Sequence, residues 1–145
     1  MARKRQMKTV LIIEDDSEVQ KFISRVLELE GYRVLRASNS ENGMEIIREE
    51  NIDLVLLDLL LPGRDGWSAL REIKSVPDSS TIPVVVLTAV AELPQRKRTL
   101  RMGATAYLVK PLSAQSLKKT VTGVLHHKKD HHPPATQKMT SANSE

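Results

Sequence analysis

At 145 residues the chain is long enough for one domain with a buried core and too short for two of ordinary size. It contains no cysteine, which excludes disulfides and thiolate metal sites, and no apolar run approaches the length of a membrane span. The formal net charge of +4 is concentrated at the ends, in Arg3, Lys4, Arg5 and Lys8 and again in Lys128, Lys129 and Lys138, so the stretch between is near neutral and direct DNA binding is not expected. Nothing at the N-terminus resembles a secretory signal, and the expectation is a soluble cytoplasmic protein.

In chain order, residues 1–8 read as a basic extension. Thr9 to Ile13 is β-branched and apolar, a buried strand that ends in Glu14-Asp15-Asp16. Ser17 and Gln20 have capping-box spacing, and Val19, Phe22, Ile23, Val26 and Leu27 follow at helical intervals, which predicts a helix from about Ser17 to Glu30 stopped by Gly31. Tyr32 to Ala37 reads as a second strand; Ser38 with Glu41 has the same capping spacing and opens a helix to about Glu50, with Met44 and Ile47 inward. Leu54 to Leu57 is a short continuous apolar run, the mark of a strand covered on both faces, and it delivers Asp58 to its C-terminal end. Pro62-Gly63 and Asp65-Gly66 set the turn beyond it.

Trp67, Leu70 and Ile73 share one face of a third helix from about Gly66 to Ser75. Pro83 to Leu87 is the fourth strand, ending in Thr88-Ala89, with proline tolerated at its first position. The fourth helix, from about Leu93-Pro94 to Gly103, has little apolar surface beyond Leu93, Leu100 and Met102 and carries Arg96, Lys97, Arg98 and Arg101. Ala106 to Val109 is a fifth strand, followed by Lys110-Pro111, and Ser113 opens a last helix with Leu117, Val121, Val124 and Leu125 inward. Residues 126–145 are polar and read as a disordered tail or the start of a linker. All four histidines lie there, as His126-His127 and His131-His132; the tail is read as solvated, with weak binding of a transition metal as the alternative.

Five strand-helix units in alternation predict an α/β fold, a parallel sheet with helices on both faces. In that architecture the carboxyl ends of the strands meet along one edge, where ligands bind. The first strand brings Glu14 and Asp15 to this edge, the third Asp58, the fourth Thr88 and the fifth Lys110. Converging carboxylates repel one another unless a cation joins them, and hard oxygen ligands suit Mg²⁺. Lys110 can hold a phosphoryl group, Thr88 can donate a hydrogen bond beside it, and Asp58 can act as the nucleophile on phosphorus. Each residue also has an ordinary alternative: Asp58 as a strand terminator bonded to loop amides, Asp16 or Ser17 as a helix cap, Lys110 as a solvated charge.

The chain resembles the receiver domains of two-component response regulators over residues 9–125. The resemblance is carried by Leu-Ile-Ile-Glu14-Asp15-Asp, by Asp53-Leu-Val-Leu-Leu-Asp58-Leu-Leu-Leu-Pro62-Gly-Arg-Asp65-Gly66, by Val-Val-Val-Leu-Thr88-Ala89, by Gly103-Ala104-Thr105-Ala106-Tyr107 and by Leu-Val-Lys110-Pro111. It implies a flavodoxin-like, doubly wound five-stranded sheet of order 2-1-3-4-5 with five helices, a fold for which a chemotaxis receiver is a standard example. It further implies that Asp58 accepts a phosphoryl group from a sensor histidine kinase or a phosphotransfer protein. Asp15, Asp58 and the Leu60 carbonyl would then ligate Mg²⁺, with Glu14 acting through water, and Asp16 falls outside the acidic pair. Thr88 and Lys110 would engage the phosphoryl oxygens, Tyr107 would turn inward as Thr88 moves, and the bond before Pro111 would be cis. Asp65-Gly66 reads as structural.

On this resemblance the protein is a signalling switch that assists its own phosphotransfer and slow dephosphorylation, not an enzyme. Its output face, formed by the fourth helix, fifth strand and fifth helix, would meet a downstream protein, and a phosphorylation-dependent dimer is compatible with it. Arg96, Lys97, Arg98 and Arg101 are candidates for contact with an acidic partner, or else a solvated helix face. Two departures stand out: Leu61 occupies a position where methionine is common, and Leu60 and Val90 are apolar where the family flanks the hydrolytic water, which predicts slow self-dephosphorylation. A Mg²⁺-dependent hydrolase would be expected to place a second acid at Leu60, and an FMN carrier would be opposed by Glu14-Asp15-Asp16. A receiver cut from a longer regulator or kinase is the remaining variant.

Overall fold

The computed structural model describes residues 7–61, 64–89 and 93–126, with the backbone alone at 61, 64–66 and 93–96. The expected readings of Pro62-Gly63, Val90 and the tail beyond His126 lie outside the described residues. Strands β1 (Thr9–Ile13), β2 (Arg33–Ala37), β3 (Leu54–Asp58), β4 (Val84–Thr88) and β5 (Ala106–Val109) form one parallel sheet in the order β2-β1-β3-β4-β5. Helices α1 (Ser17–Leu29), α2 (Ser40–Glu49), α3 (Gly66–Ser75), α4 (Leu93–Arg101) and α5 (Ala114–Leu125) complete the alternation. This is the flavodoxin-like order that the resemblance implied. A two-residue antiparallel ribbon, Leu60–Leu61 with Arg64–Asp65, intervenes between β3 and α3.

Period-two alternation along the central strands divides the core between the two faces of the sheet. Leu11 and Ile13 of β1 join Val55, Leu57, Val84 and Val86 in a cluster closed by Met44, Ile47, Leu70 and Ile73 of α2 and α3. Val10 and Ile12 instead join Leu54, Leu56, Val85 and Leu87 under Ile23, Leu27, Leu117 and Val121 of α1 and α5. Because β1, β3 and β4 are fully buried, polar side chains can be tolerated only where these strands end.

Ser113 caps α5 as expected, accepting the Ser116 amide at 3.1 Å, while the first two helices start one residue away from their capping-box serines, the first of them at Asp16, the alternative cap. The cap of α1 is Asp16, whose carboxylate accepts the Glu18 and Val19 amides, and the cap of α2 is Asn39, whose Oδ1 accepts the Asn42 amide. Ser17 and Ser40 are instead the first helical residues, so Ser38 lies outside the second cap. Gln20 does not reach back to the cap: it is buried, and its amide donates to the Glu14 and Ala37 carbonyls at 2.6 and 3.1 Å, tying together the ends of β1 and β2. The inward face of α1 is consequently turned toward Gln20, Ile23, Ser24 and Leu27, leaving Phe22 39% exposed although it fits the apolar spacing. Tyr32 precedes β2 and packs with the α1/α5 cluster. Helix α4 ends at Arg101, two residues before Gly103, which takes a left-handed φ of +108°.

Lys74 on α3 holds the connection into β4, its Nζ donating to the Ser80 and Ile82 carbonyls at 3.1 and 2.8 Å. Burial holds its ammonium below the ordinary value of 10.5. Lys74→Met leaves both carbonyls without this donor and is expected to cost about 1 kcal/mol of stability. Because the folded state binds the Lys74 proton less tightly than the unfolded chain, wild-type stability gains from this group as pH rises toward 10.5. The variant lacks that gain, so its deficit in urea denaturation should widen from about pH 7 to about pH 10; a deficit that narrows would contradict the assignment.

Candidate phosphoacceptor and metal site

Strand register brings the site together. Ile13 pairs with Leu57, so Glu14 and Asp58 emerge side by side; Asp58 pairs with Leu87, so Thr88 stands one step beyond it. Thr88 pairs in turn with Val109, and the Lys110 amide donates to the Thr88 carbonyl at 2.8 Å. Four residues far apart in the chain thus occupy one edge of the sheet. The Lys110–Pro111 peptide bond is cis.

Carboxylate oxygens of Glu14, Asp15 and Asp58 lie within 4.8 Å of one another. Glu14 and Asp58 are buried and Asp15 is exposed, so the cluster has a protein side and a solvent side. Asp58 Oδ1 accepts the Leu60 amide at 3.1 Å, and Glu14 Oε2 accepts the Asp16 amide at 3.1 Å. Lys110 Nζ stands 3.0 Å from Glu14 Oε1 and 3.4 Å from Asp58 Oδ2. Glu14 Oε1, the atom the ammonium approaches more closely, is itself buried.

Burial raises the Glu14 carboxyl above its ordinary range, with Lys110 and the Asp16 amide opposing and the Asp58 charge adding to the rise. For Lys110, burial works to lower the ammonium, but the adjacent Glu14 and Asp58 carboxylates outweigh it and hold it above its usual value. Lys110 is therefore a fixed cation facing two buried acids. The donor set is all oxygen, partly desolvated and open toward Asp15, which fits a hard divalent cation and not a soft one.

The remaining expected residues fall into three groups. Leu60 is 68% exposed at the mouth of the site, and Thr88 is buried at its floor. Tyr107 is partly buried against the α2/α3 cluster, on the strand that Lys110 follows. Lys97, Arg98 and Arg101 are exposed on α4, and the Arg96 side chain is outside the described residues. Sequence reasoning gave Gln20 a capping role and so missed that it secures the strand ends beside the acidic pair, and it missed the closer approach of Lys110 to Glu14 than to Asp58. A glutamine inside an otherwise inward helix face was the available signal for the first; the second had none, since it depends on distances across the sheet.

A doubly wound parallel sheet that gathers three acids, a threonine and a lysine at one edge is the arrangement that the resemblance to phosphorylation-switched receivers implied. Residues 10–122 match the response regulator receiver domain family. The chain belongs to that family, whose members are the receiver domains of two-component systems. It is 34% identical over 119 residues to Protein PilH of Pseudomonas aeruginosa, covering 82% of this chain and 98% of PilH. It is 35% identical over 118 residues to the phosphate regulon transcriptional regulatory protein PhoB of the same organism, covering 81% of this chain and spanning 52% of PhoB. Among solved structures it resembles the receiver domain of a sensor histidine kinase from Pseudomonas aeruginosa PAO1, with a TM-score of 0.73 and 30% identity over 81% of this chain and 96% of that one. That receiver has a magnesium ion coordinated in its active site cleft.

Proposed function

We propose that Asp58 is the phosphoacceptor and that its phosphorylation switches the α4–β5–α5 face for binding a downstream protein. The single observation that carries this reading is the pairing of Asp58 with Lys110 at 3.4 Å inside a cluster of three carboxylates. A carboxylate oxygen of Asp58 attacks phosphorus in line; the new O–P bond forms as the donor's N–P bond breaks, and the electron pair returns to the histidine nitrogen of a sensor kinase or phosphotransfer protein. Glu14, Asp15, Asp58 and the Leu60 carbonyl would hold Mg²⁺, which neutralises charge on the phosphoryl oxygens. Lys110 is already poised beside Asp58 and can follow the phosphoryl group as it gains negative charge. The Thr88 hydroxyl can donate to the same oxygens, and the space it leaves is open to Tyr107.

Incubating the full chain with acetyl phosphate tests this reading. Mg²⁺ is expected to give an alkali-labile phosphate that maps to Asp58, a chelator is expected to suppress it, and label at another residue or equal label without divalent cation would overturn the assignment. The apolar Leu60 at the mouth of the site supports slow self-dephosphorylation, since it offers no group to orient the attacking water. Leu60→Asn is expected to shorten the half-life of the phosphorylated chain by about tenfold, equivalent to about 1.4 kcal/mol of barrier. An unchanged or lengthened half-life would count against a role for this position in hydrolysis.

A further inference from the structure

The near-neutral balance of residues 9–125 conceals two opposite parts. Residues 9–92 carry sixteen acids against eight lysines and arginines, whereas residues 93–125 carry seven lysines and arginines and no aspartate or glutamate. The second part holds the whole of α4, β5 and α5. In space these form one region: β5 is an edge strand of the sheet, Met102 just past α4 packs into the α2/α3 cluster, and Leu117 and Val121 of α5 pack into the cluster on the other face. The two helices therefore flank the β5 edge, and α4, β5 and α5 contribute charge of a single sign to the surface there.

The described cations in this region are not equivalent. Lys110 faces Glu14 and Asp58, Lys118 stands 3.9 Å from Glu30, and the Arg98 guanidinium lies over the Trp67 ring, 4.1 Å from its centroid. Lys97, Arg101 and Lys119 are exposed, and α4, β5 and α5 hold no acid to pair with them. Lys97 and Arg101 also sit four residues apart on one helix, a spacing at which like charges are destabilising. An ordinary solvated helix mixes signs, as α1 does: Lys21 there stands 3.8 Å from Glu18. Among the cations, Val109 is 36% exposed on the strand face it shares with Tyr107, which gives the surface an apolar element. We propose that the α4–β5–α5 face takes an acidic segment of another protein, with an apolar residue among its carboxylates, and does not pair with a second copy of itself. The inference rests on the reading of this face as the output surface and names the chemistry of its partner. A two-fold dimer through this face would set the same cations against each other. Exposed Val109 suits a protein segment; a single-stranded nucleic acid would call for aromatic rings under its bases, and Tyr107, the one aromatic residue in 93–125, is partly buried.

The probe is a fluorescein-labelled peptide of glutamate and leucine at helical spacing, with glutamine in place of glutamate as its control. Its anisotropy would be titrated with the full chain before and after treatment with acetyl phosphate and Mg²⁺, and covalent phosphate followed by intact mass. The glutamate peptide is expected to bind, more tightly after phosphate is incorporated and less tightly as salt is added, and the glutamine peptide to bind about tenfold more weakly. The variant Lys97→Glu/Arg101→Glu/Lys119→Glu, its fold checked by circular dichroism, is expected to lose about tenfold in affinity or more, whereas Lys97→Arg/Lys119→Arg keeps the charge and should keep the binding. Equal binding of the two peptides, or an unchanged affinity in the triple variant, would overturn the proposal. So would tighter binding of duplex DNA or phosphatidylserine vesicles through the same three residues, or a phosphorylation-dependent dimer in sedimentation velocity that the charge reversals abolish. Selective binding of the glutamate peptide with no covalent phosphate would refute the phosphoacceptor reading and leave the acidic-partner surface standing. Covalent phosphate with no peptide binding in either state would do the reverse.

Discussion

Asp58→Asn is expected to abolish phosphoryl uptake while leaving the fold intact. The amide lacks the anionic oxygen that attacks phosphorus, so the loss should be complete, not graded. Its Oδ1 can still accept the Leu60 amide now bonded to Asp58 at 3.1 Å, so the turn after β3 keeps its tie. Removing the charge also relieves Glu14, whose carboxyl is raised in part by Asp58, so thermal stability should hold or rise slightly. The measurement is radiolabel from acetyl phosphate alongside a melting curve. Label retained by a folded Asp58→Asn chain would sink the phosphoacceptor assignment, whereas an unfolded variant would be read by Asp58→Glu, which keeps the charge but displaces the attacking oxygen by one methylene.

Lys110→Met has a second large expected effect, this time on the folded state. The variant keeps the stem of the side chain and removes the cation that faces two buried acids, whose side chains are 1% and 4% exposed. Breaking a buried pair from one side leaves an uncompensated charge, and because Lys110 is itself a quarter exposed the cost is set at about 2 kcal/mol, below the usual 3 to 5 for fully buried pairs. That corresponds to a fall in melting temperature of roughly 6–10 °C. Adding Glu14→Gln should recover most of the loss, because the buried carboxylate is then neutral; the two changes are coupled and their effects should not add. Millimolar Mg²⁺ should also recover stability by joining the same carboxylates. A Lys110→Met chain as stable as the wild type without divalent cation would show that the Lys110 contacts carry no net stabilisation.

Much of the site was legible because it lies at the ends of strands. Apolar runs 9–13, 54–57 and 83–87 cannot bury an acid or a threonine in their middle, so the positions of Glu14, Asp15, Asp58 and Thr88 announce a shared edge once the strands are taken as parallel. Helix starts were less legible. Capping-box spacing pointed to Ser17, with Asp16 as its alternative, and to Ser38; the amides are taken by Asp16 and Asn39, one residue away, whereas Ser113 caps α5 as expected. The apolar spacing of α1 holds for Ile23 and Leu27, which are buried, and for Val19 and Val26, which pack against the same cluster, whereas Phe22 is left exposed because the buried side also takes in Gln20 and Ser24.

By itself, then, the sequence determined the alternation of strand and helix, the residues that fill both faces of the sheet, and the set of reactive groups at its carboxyl edge. These follow from local periodicity and from the cost of desolvating a charge, both of which are written along the chain. Tertiary structure decided which of these groups touch. It set Lys110 nearer to Glu14 than to Asp58, turned Gln20 inward to join β1 and β2, and laid Arg98 over Trp67. Such contacts depend on distances of a few ångströms between elements remote in sequence, and those distances are fixed only when the helices have packed onto the sheet.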